Sequence, residues 1–170
     1  MEEMDKQAVF LSVIQSNKGI IYKVVHTYCK TSEDRKDLVQ EIIIQLWKSF
    51  DNYNNSFKYS TWMYRISLNV AISFYRKENS RQKIVHPLTE GIMQFPENDD
   101  FEEKETDLGI LQQLIFKLKD LEKALMLLYL EEKSHKEISH IIGISETNVA
   151  TKINRIKNHL KHHFNQLKNQ

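Results

Sequence analysis

Between positions 148 and 157, Asn148, Thr151, Lys152, Asn154, Arg155 and Lys157 bring amide, hydroxyl, ammonium and guanidinium groups together, with Glu146 and Thr147 just upstream. These are the groups that read base edges in the major groove and hold phosphates. Residues 151–170 contain five Lys/Arg and no Asp/Glu, a one-signed run suited to a polyanion. Local signals predict the elements that must carry them. Ser134 followed by Glu137 forms a capping box, so a helix starts at His135. Gly143 permits a tight turn, and Ser145 caps a second helix running past Lys157. Ile138, Ile141, Ile142, Ile144, Val149, Ile153, Ile156 and Leu160 fall where two crossed helices need apolar contacts. Two amphipathic helices around a glycine occur in many all-α proteins, and a basic helix is often a solvated face. Two caps, the turn glycine and the one-sided charge together favour a helix-turn-helix with a DNA-facing second helix.

A different chemistry is concentrated earlier. Residues 47–75 hold Trp47, Phe50, Tyr53, Phe57, Tyr59, Trp62, Tyr64, Phe74 and Tyr75, more than half of the aromatics in the chain. Lys48, Lys58, Arg65, Arg76 and Lys77 are interleaved with them. Aromatic faces stack on unpaired bases while cations follow the backbone, the combination that binds single strands. Aromatics at helical spacing are also ordinary core, the preferred reading for Trp47, Phe50 and Phe74. Tyr59, Trp62 and the polar loop 52–56 are better placed for bases, and such a loop can receive a flipped base. Upstream, Asp37, Gln40 and Glu41 share one polar side of an otherwise apolar helix. By itself this triplet reads as a solvated face.

The expected architecture is all-α, with two small helical domains joined by a linker. Four Gly, two Pro and no sustained alternation leave little room for strands. Helices are expected over 5–29, kinked near Gly19, then from a Ser32 cap through Glu33 to Phe50. After a loop at 51–59, a Ser60 cap opens a third helix from Thr61 towards Ser80. Segments 108–118 and 121–130 precede the helix-turn-helix. The domains are expected at 5–80 and 107–168. The linker, 81–106, contains both prolines and turns acidic in its second half. The net charge of +1 conceals this layout: residues 1–95 carry 13 basic and 10 acidic side chains, and residues 108–170 carry 10 and 6.

Several function classes are disfavoured. Cys29 is the only cysteine, so neither an intramolecular disulfide nor a Cys-based zinc site is available, and a buried helical thiol is expected. No Gly-rich phosphate loop, nucleophile elbow or HExxH is present, so no catalytic residues are expected, nor a cofactor or small-molecule substrate. His159, His162 and His163 share a helical face, but a solvated helix end is preferred to a metal site. The acidic run 99–107 lacks the alternating ligands and central glycine of a calcium loop. The N-terminus MEEMDKQ lacks signal-peptide blocks and no apolar run is long enough to span a bilayer, so a cytoplasmic protein without membrane insertion is expected.

Two stretches also carry a family resemblance. DLVQEIIIQLWKSFDNYNNSFKYSTWMYRISLNVAISFYRK, residues 37–77, resembles region two of bacterial RNA polymerase sigma factors, most closely the extracytoplasmic-function (group four) subfamily of the sigma-70 family. LEKALMLLYLEEKSHKEISHIIGISETNVATKINRIKNHLK is similar to region four of that subfamily, in the right order and after a short linker. The resemblance implies docking of Asp37, Gln40, Glu41 and Ile44 on the clamp helices of the polymerase beta-prime subunit. It implies minus-ten recognition by Asn52, Asn54, Asn55, Ser56, Lys58, Tyr59, Thr61, Trp62 and Arg65, which would capture a flipped base. Asn69, Ser73, Arg76 and Lys77 would meet the upstream edge of that element. Glu146, Thr147, Asn148, Thr151, Lys152, Asn154, Arg155 and Lys157 would serve the minus-thirty-five element. The implied partners are core RNA polymerase (clamp helices and beta flap), promoter DNA and an anti-sigma factor.

Two positions depart from the family pattern. Ser139 stands where alanine is common, which slightly weakens the packing argument. Ala150 stands where a basic residue is common, leaving more of the contact to Lys152 and Arg155. The rival reading is a conventional helix-turn-helix regulator with an N-terminal sensor or dimerisation domain. Residues 37–77 discriminate the two, because a sensor needs neither a docking triplet nor an aromatic, basic loop.

Overall fold

The structure, a computed structural model, describes the backbone of residues 2–76 and 106–170, with side chains from Met4 to Phe74 in the first segment. The linker expected at 81–106, apart from Thr106, and Lys77 lie outside the described residues, as does the side chain of Arg76. The chain is all-α. It forms two compact units, one within residues 1–95 and one within 96–170.

In the first unit, α1 (Glu2–Tyr28), α2 (Ser32–Ser49) and α3 (Tyr59–Arg76) pack against one another in all three pairings. Phe10, Ile14, Ile21, Leu38, Ile42, Leu46, Met63 and Leu68 close the core, each at most 1% exposed. Burying these side chains is the main stabilising term, at roughly 1.5–3 kcal/mol for each large one. The kink in α1 falls at Asn17 (φ −124°, ψ 15°), not near Gly19. The Asn17 side-chain amide donates to the Val13 carbonyl at 2.9 Å, competing for the acceptor that the main chain would otherwise use.

The cap of α2 is Thr31 rather than Ser32, its Oγ1 accepting from the Asp34 N–H at 3.1 Å. Cys29 is buried as expected, but in the turn beyond α1 rather than inside a helix. Its carbonyl accepts from Nε of the buried Arg35 at 3.2 Å, which gives the backbone of this buried residue a polar partner. A 3-10 turn, Phe50–Asn52, follows α2, so the expected loop is ordered at its start. The α3 helix begins at Tyr59, two residues before the expected Thr61, and Ser60 sits inside its first turn. The Trp62 N–H bonds the Lys58 carbonyl at 3.2 Å, closing that turn.

In the second unit, α4 (Asp107–Phe116), α5 (Asp120–Leu130) and α6 (His135–Ile142) each pack on α7 (Glu146–Lys168). Thr106 caps α4, accepting from the Gly109 N–H at 3.2 Å. Glu122 accepts from the Lys119 N–H at 3.2 Å at the head of α5. Ile138, Ile141, Val149, Ile153, Ile156 and Leu160 on α6 and α7 are buried, as are Leu125 and Leu128 of α5, which packs on both helices. Lys168 Nζ donates to Asp107 Oδ2 at 2.9 Å and ties the end of α7 to the start of α4. No described helix is long and apolar enough to cross a membrane.

Candidate nucleic-acid interface

The helix-turn-helix forms as its local signals require. Ser134 Oγ accepts from the Glu137 N–H at 3.1 Å, and the Glu137 carboxylate accepts from the Ser134 N–H at 2.8 Å. Two orphan donors at the head of α6 are thereby satisfied reciprocally. Gly143 ends α6 at φ 84°, in the left-handed region where only glycine is free of a Cβ penalty. Ser145 Oγ accepts from the Asn148 N–H at 3.1 Å and opens α7.

Ser139, at the position where the family commonly has alanine, ties the turn through its side chain. Its hydroxyl donates to the Ile144 carbonyl at 2.6 Å, a bond that alanine cannot make.

Burial of Val149, Ile153, Ile156 and Leu160 turns the opposite face of α7 outward. Thr147, Asn148, Thr151, Asn154 and Arg155 are exposed on it, and Glu146 is exposed at the first turn. Lys152 is half-buried at the edge of that face. Lys157 also sits at an edge, its ammonium 4.9 Å from the ring centre of Tyr129 on α5. Sequence spacing overlooked Asn158, exposed one turn beyond Asn154 and Arg155 on the same side. An amide there extends the donor row of the helix.

In the first unit, α3 buries Met63, Tyr64, Ser67, Leu68 and Ala71. The other side presents Trp62 and Arg65, both half-buried, followed by the exposed Asn69 and Ser73. At helical spacing these make one stripe leading away from the loop. Asn52, Asn54, Asn55, Ser56 and Lys58 are exposed, whereas Tyr59 and Thr61 are half-buried. The aromatics beneath the loop form one cluster. Tyr53 stacks on Tyr59 with ring centres 4.3 Å apart, and Trp62 lies 5.5 Å from Tyr53 and 6.3 Å from Tyr59. Trp47 and Phe50 join the core edge, their rings 5.0 and 5.3 Å from Phe10 in edge-to-face contact.

Lys6 had no signal in the sequence that linked it to this site, and neither did the contacts that Tyr53 and Phe57 make within it. The Tyr53 hydroxyl donates to the Phe57 carbonyl at 2.6 Å, and the Arg65 guanidinium lies 5.2 Å over the Phe57 ring. Lys6 Nζ donates to Asp51 Oδ2 at 2.7 Å and lies 4.5 Å over the Trp47 ring. Burial, and secondarily the neighbouring Tyr59, raise the Tyr53 pKa above its ordinary value of 10.0, so the hydroxyl remains a donor at neutral pH.

On the outer side of α2, Asp37, Gln40, Glu41 and Ile44 are all half-exposed, while Leu38, Val39, Ile42 and Ile43 between them are buried. Gln45 Nε2 donates to Glu41 Oε1 at 3.1 Å, fixing that carboxylate along the helix. The triplet therefore stands clear of the core with an apolar residue, Ile44, one turn further on.

At the far end of α7, His163 Nδ1 lies 3.0 Å from the His159 carbonyl. That ring nitrogen is engaged with the helix backbone.

Comparison with known proteins follows the same division. The sigma-70 region 2 model matches residues 13–81, and the sigma-70 region 4 model matches residues 108–160. The chain is 26% identical over 171 residues to the ECF RNA polymerase sigma factor SigW of Bacillus subtilis (strain 168), covering 95% of this chain and 91% of that protein. It is 28% identical over 158 residues to the ECF sigma factor SigM of the same organism, covering 91% and 94%. Among solved structures, CnrH in complex with the cytosolic domain of CnrY aligns with a TM-score of 0.67 at 17% identity, covering 94% of this chain and 90% of CnrH. The sigma factor RpoE from Bartonella quintana, in complex with the anti-sigma factor NepR, aligns with a TM-score of 0.59 at 15% identity, covering 95% of each chain. The structural likeness bears on the fold, and the paired region matches, together with relatives aligned along almost the whole chain, bear on the family. This chain belongs to the sigma-70 family of RNA polymerase sigma factors, in the extracytoplasmic-function group, and directs promoter-specific initiation of transcription.

Proposed function

We propose a division of that work between named faces of the two units. Asp37, Gln40, Glu41 and Ile44 dock the first unit on the clamp helices of the polymerase beta-prime subunit. The loop from Asn52 to Lys58, with Tyr59, Thr61, Trp62 and Arg65, captures a flipped base of the minus-ten element. Asn69, Arg76 and Lys77 follow its upstream edge. The second unit contacts the beta flap and sets the outer face of α7, Glu146 to Lys157, into the major groove at the minus-thirty-five element. The domain limits for these roles are 5–80 and 107–168, with 81–106 as linker.

The observation that carries this reading is the exposure of polar and cationic groups on the two faces that match regions two and four, each opposite a largely apolar buried face. Aromatics beside an exposed polar loop suit unpaired bases, and a capped, one-sided basic helix suits duplex DNA. The protein acts in the cytoplasm, where its polymerase works, and catalyses nothing itself. It needs no cofactor, metal or small-molecule substrate. Because CnrH and RpoE were solved with the cytosolic domain of CnrY and with the anti-sigma factor NepR, we place an anti-sigma factor among the partners of this chain as well. A stand-alone regulator with a sensor domain is not favoured, since region two accounts for residues 13–81.

The docking assignment is tested by replacing Gln40 and Glu41 together with alanine. Core polymerase should then retain much less of the chain in a pull-down, with helical content unchanged. Unchanged retention refutes the assignment.

A further inference from the structure

The loop presenting Asn54, Asn55 and Ser56 has no helix or sheet to hold it, yet it is tied at three points. At its entry, Asp51 is held by Lys6 of α1 at 2.7 Å. At its exit, the Phe57 ring lies under the Arg65 guanidinium at 5.2 Å. Across its neck, the Tyr53 hydroxyl donates to the Phe57 carbonyl at 2.6 Å. The Tyr53 ring is itself fixed, stacked on Tyr59 with an interplanar angle of 20°.

We propose that Tyr53 is a positioning residue: its hydroxyl closes the neck of the loop and holds residues 54–58 in a base-reading shape before DNA arrives. The inference rests on the proposed reading of a flipped base by this loop.

Packing of the ring against Tyr59 and Trp62 would be served equally by phenylalanine. The hydroxyl adds only the bond to Phe57, a carbonyl in an exposed loop that water would otherwise satisfy. Its consequence is therefore shape more than burial. A loop ordered in advance has less conformational entropy to lose on binding, and its side chains stand at defined positions from which a wrong base meets unpaired groups. Asn54, Asn55 and Ser56 are exposed along the rim of this closed loop, while Tyr53 beneath it is half-buried. The role assigned to Tyr53 is exerted through the shape its hydroxyl gives the loop.

The test uses the full chain. Tyr53→Phe keeps the ring and removes only the bond; Asn55→Ala removes a reading group and serves as the parallel control. Backbone order parameters of the free protein report the loop directly. With core polymerase, affinity is then measured for four promoter duplexes that differ at the single minus-ten base assigned to the loop.

Tyr53→Phe should lower the order parameters of residues 54–57 while leaving α1–α3 unchanged. It should compress the ratio between the best and worst base by about threefold to tenfold, the effect of losing one hydrogen bond. Three results overturn the proposal. If Tyr53→Phe changes neither order nor ratio while Asn55→Ala still compresses the ratio, the loop reads the base without help from Tyr53. A uniform loss on all four duplexes with a lowered unfolding midpoint makes Tyr53 a packing residue only. If neither variant changes the ratio, the flipped-base reading of the loop fails, and the role of Tyr53 fails with it.

Discussion

The Ser139 hydroxyl donates to the Ile144 carbonyl at 2.6 Å, so the turn joining α6 to α7 is closed by a side chain as well as by its backbone. The bond ties α6 to the residue just before the Ser145 cap of α7, the helix that carries the proposed DNA-facing row. Ser139→Ala should destabilise the second unit by about 0.5–1.5 kcal/mol, the usual net value of such a bond. Urea denaturation followed by circular dichroism measures this. An unchanged midpoint would mean that water replaces the hydroxyl without loss.

Gly143 supplies the left-handed residue of the same turn, at φ 84°. A Cβ placed there meets nothing within 4 Å, so any penalty for Gly143→Ala comes from the backbone alone. The expected loss is about 1–2 kcal/mol. Combined with Ser139→Ala the loss should fall short of the sum of the single effects if the two features depend on one turn geometry. A neutral Gly143→Ala variant would contradict the left-handed assignment.

Arg155 is exposed on the outward face of α7, one turn from Thr151 and Asn158 and away from the buried Val149, Ile153 and Ile156. If it reads a base, Arg155→Ala should cost about 1–3 kcal/mol of discrimination at one position of the minus-thirty-five element. Holoenzyme binding to a set of single-base promoter variants separates this from a phosphate contact. Equal weakening on every variant assigns Arg155 to the backbone.

The Tyr53 hydroxyl gives the loop a defined pH dependence. Its folded pKa is raised, first by burial and then by Tyr59, so its contribution is full below the ordinary tyrosine value and lost as pH rises through the higher folded value. Loop order should therefore be flat across the neutral range and fall only in strong alkali. Ultraviolet titration of the wild type against Tyr53→Phe isolates this group. A Tyr53 midpoint below 10 would reverse the sign.

The elements most legible from sequence were those with purely local causes. Ser134, Glu137, Gly143 and Ser145 each act on backbone groups within a few residues, and the α6–α7 boundaries follow from them. Other features were misplaced even though their causes lie close in the chain, because side-chain contacts decide them. The α3 helix starts at Tyr59 rather than after Ser60, with Tyr59 stacked on Tyr53, a pairing without periodic signature. The kink in α1 falls at Asn17, whose side-chain bond to Val13 outweighs the expectation from Gly19. The candidate site shows the same split. Exposure of Thr151, Asn154 and Arg155 follows from the helical repeat. The contacts Lys6–Asp51 and Lys157–Tyr129 join residues far apart in the chain and required the tertiary structure.

Transcription in vitro with purified core polymerase tests the central claim most directly. On a library of genomic promoter fragments, core polymerase with this chain should initiate at a small set of sites sharing minus-ten and minus-thirty-five elements, and core alone should not. Initiation that does not depend on the chain, or that shows no sequence preference when the chain is added, would contradict its role as a promoter-directing sigma factor.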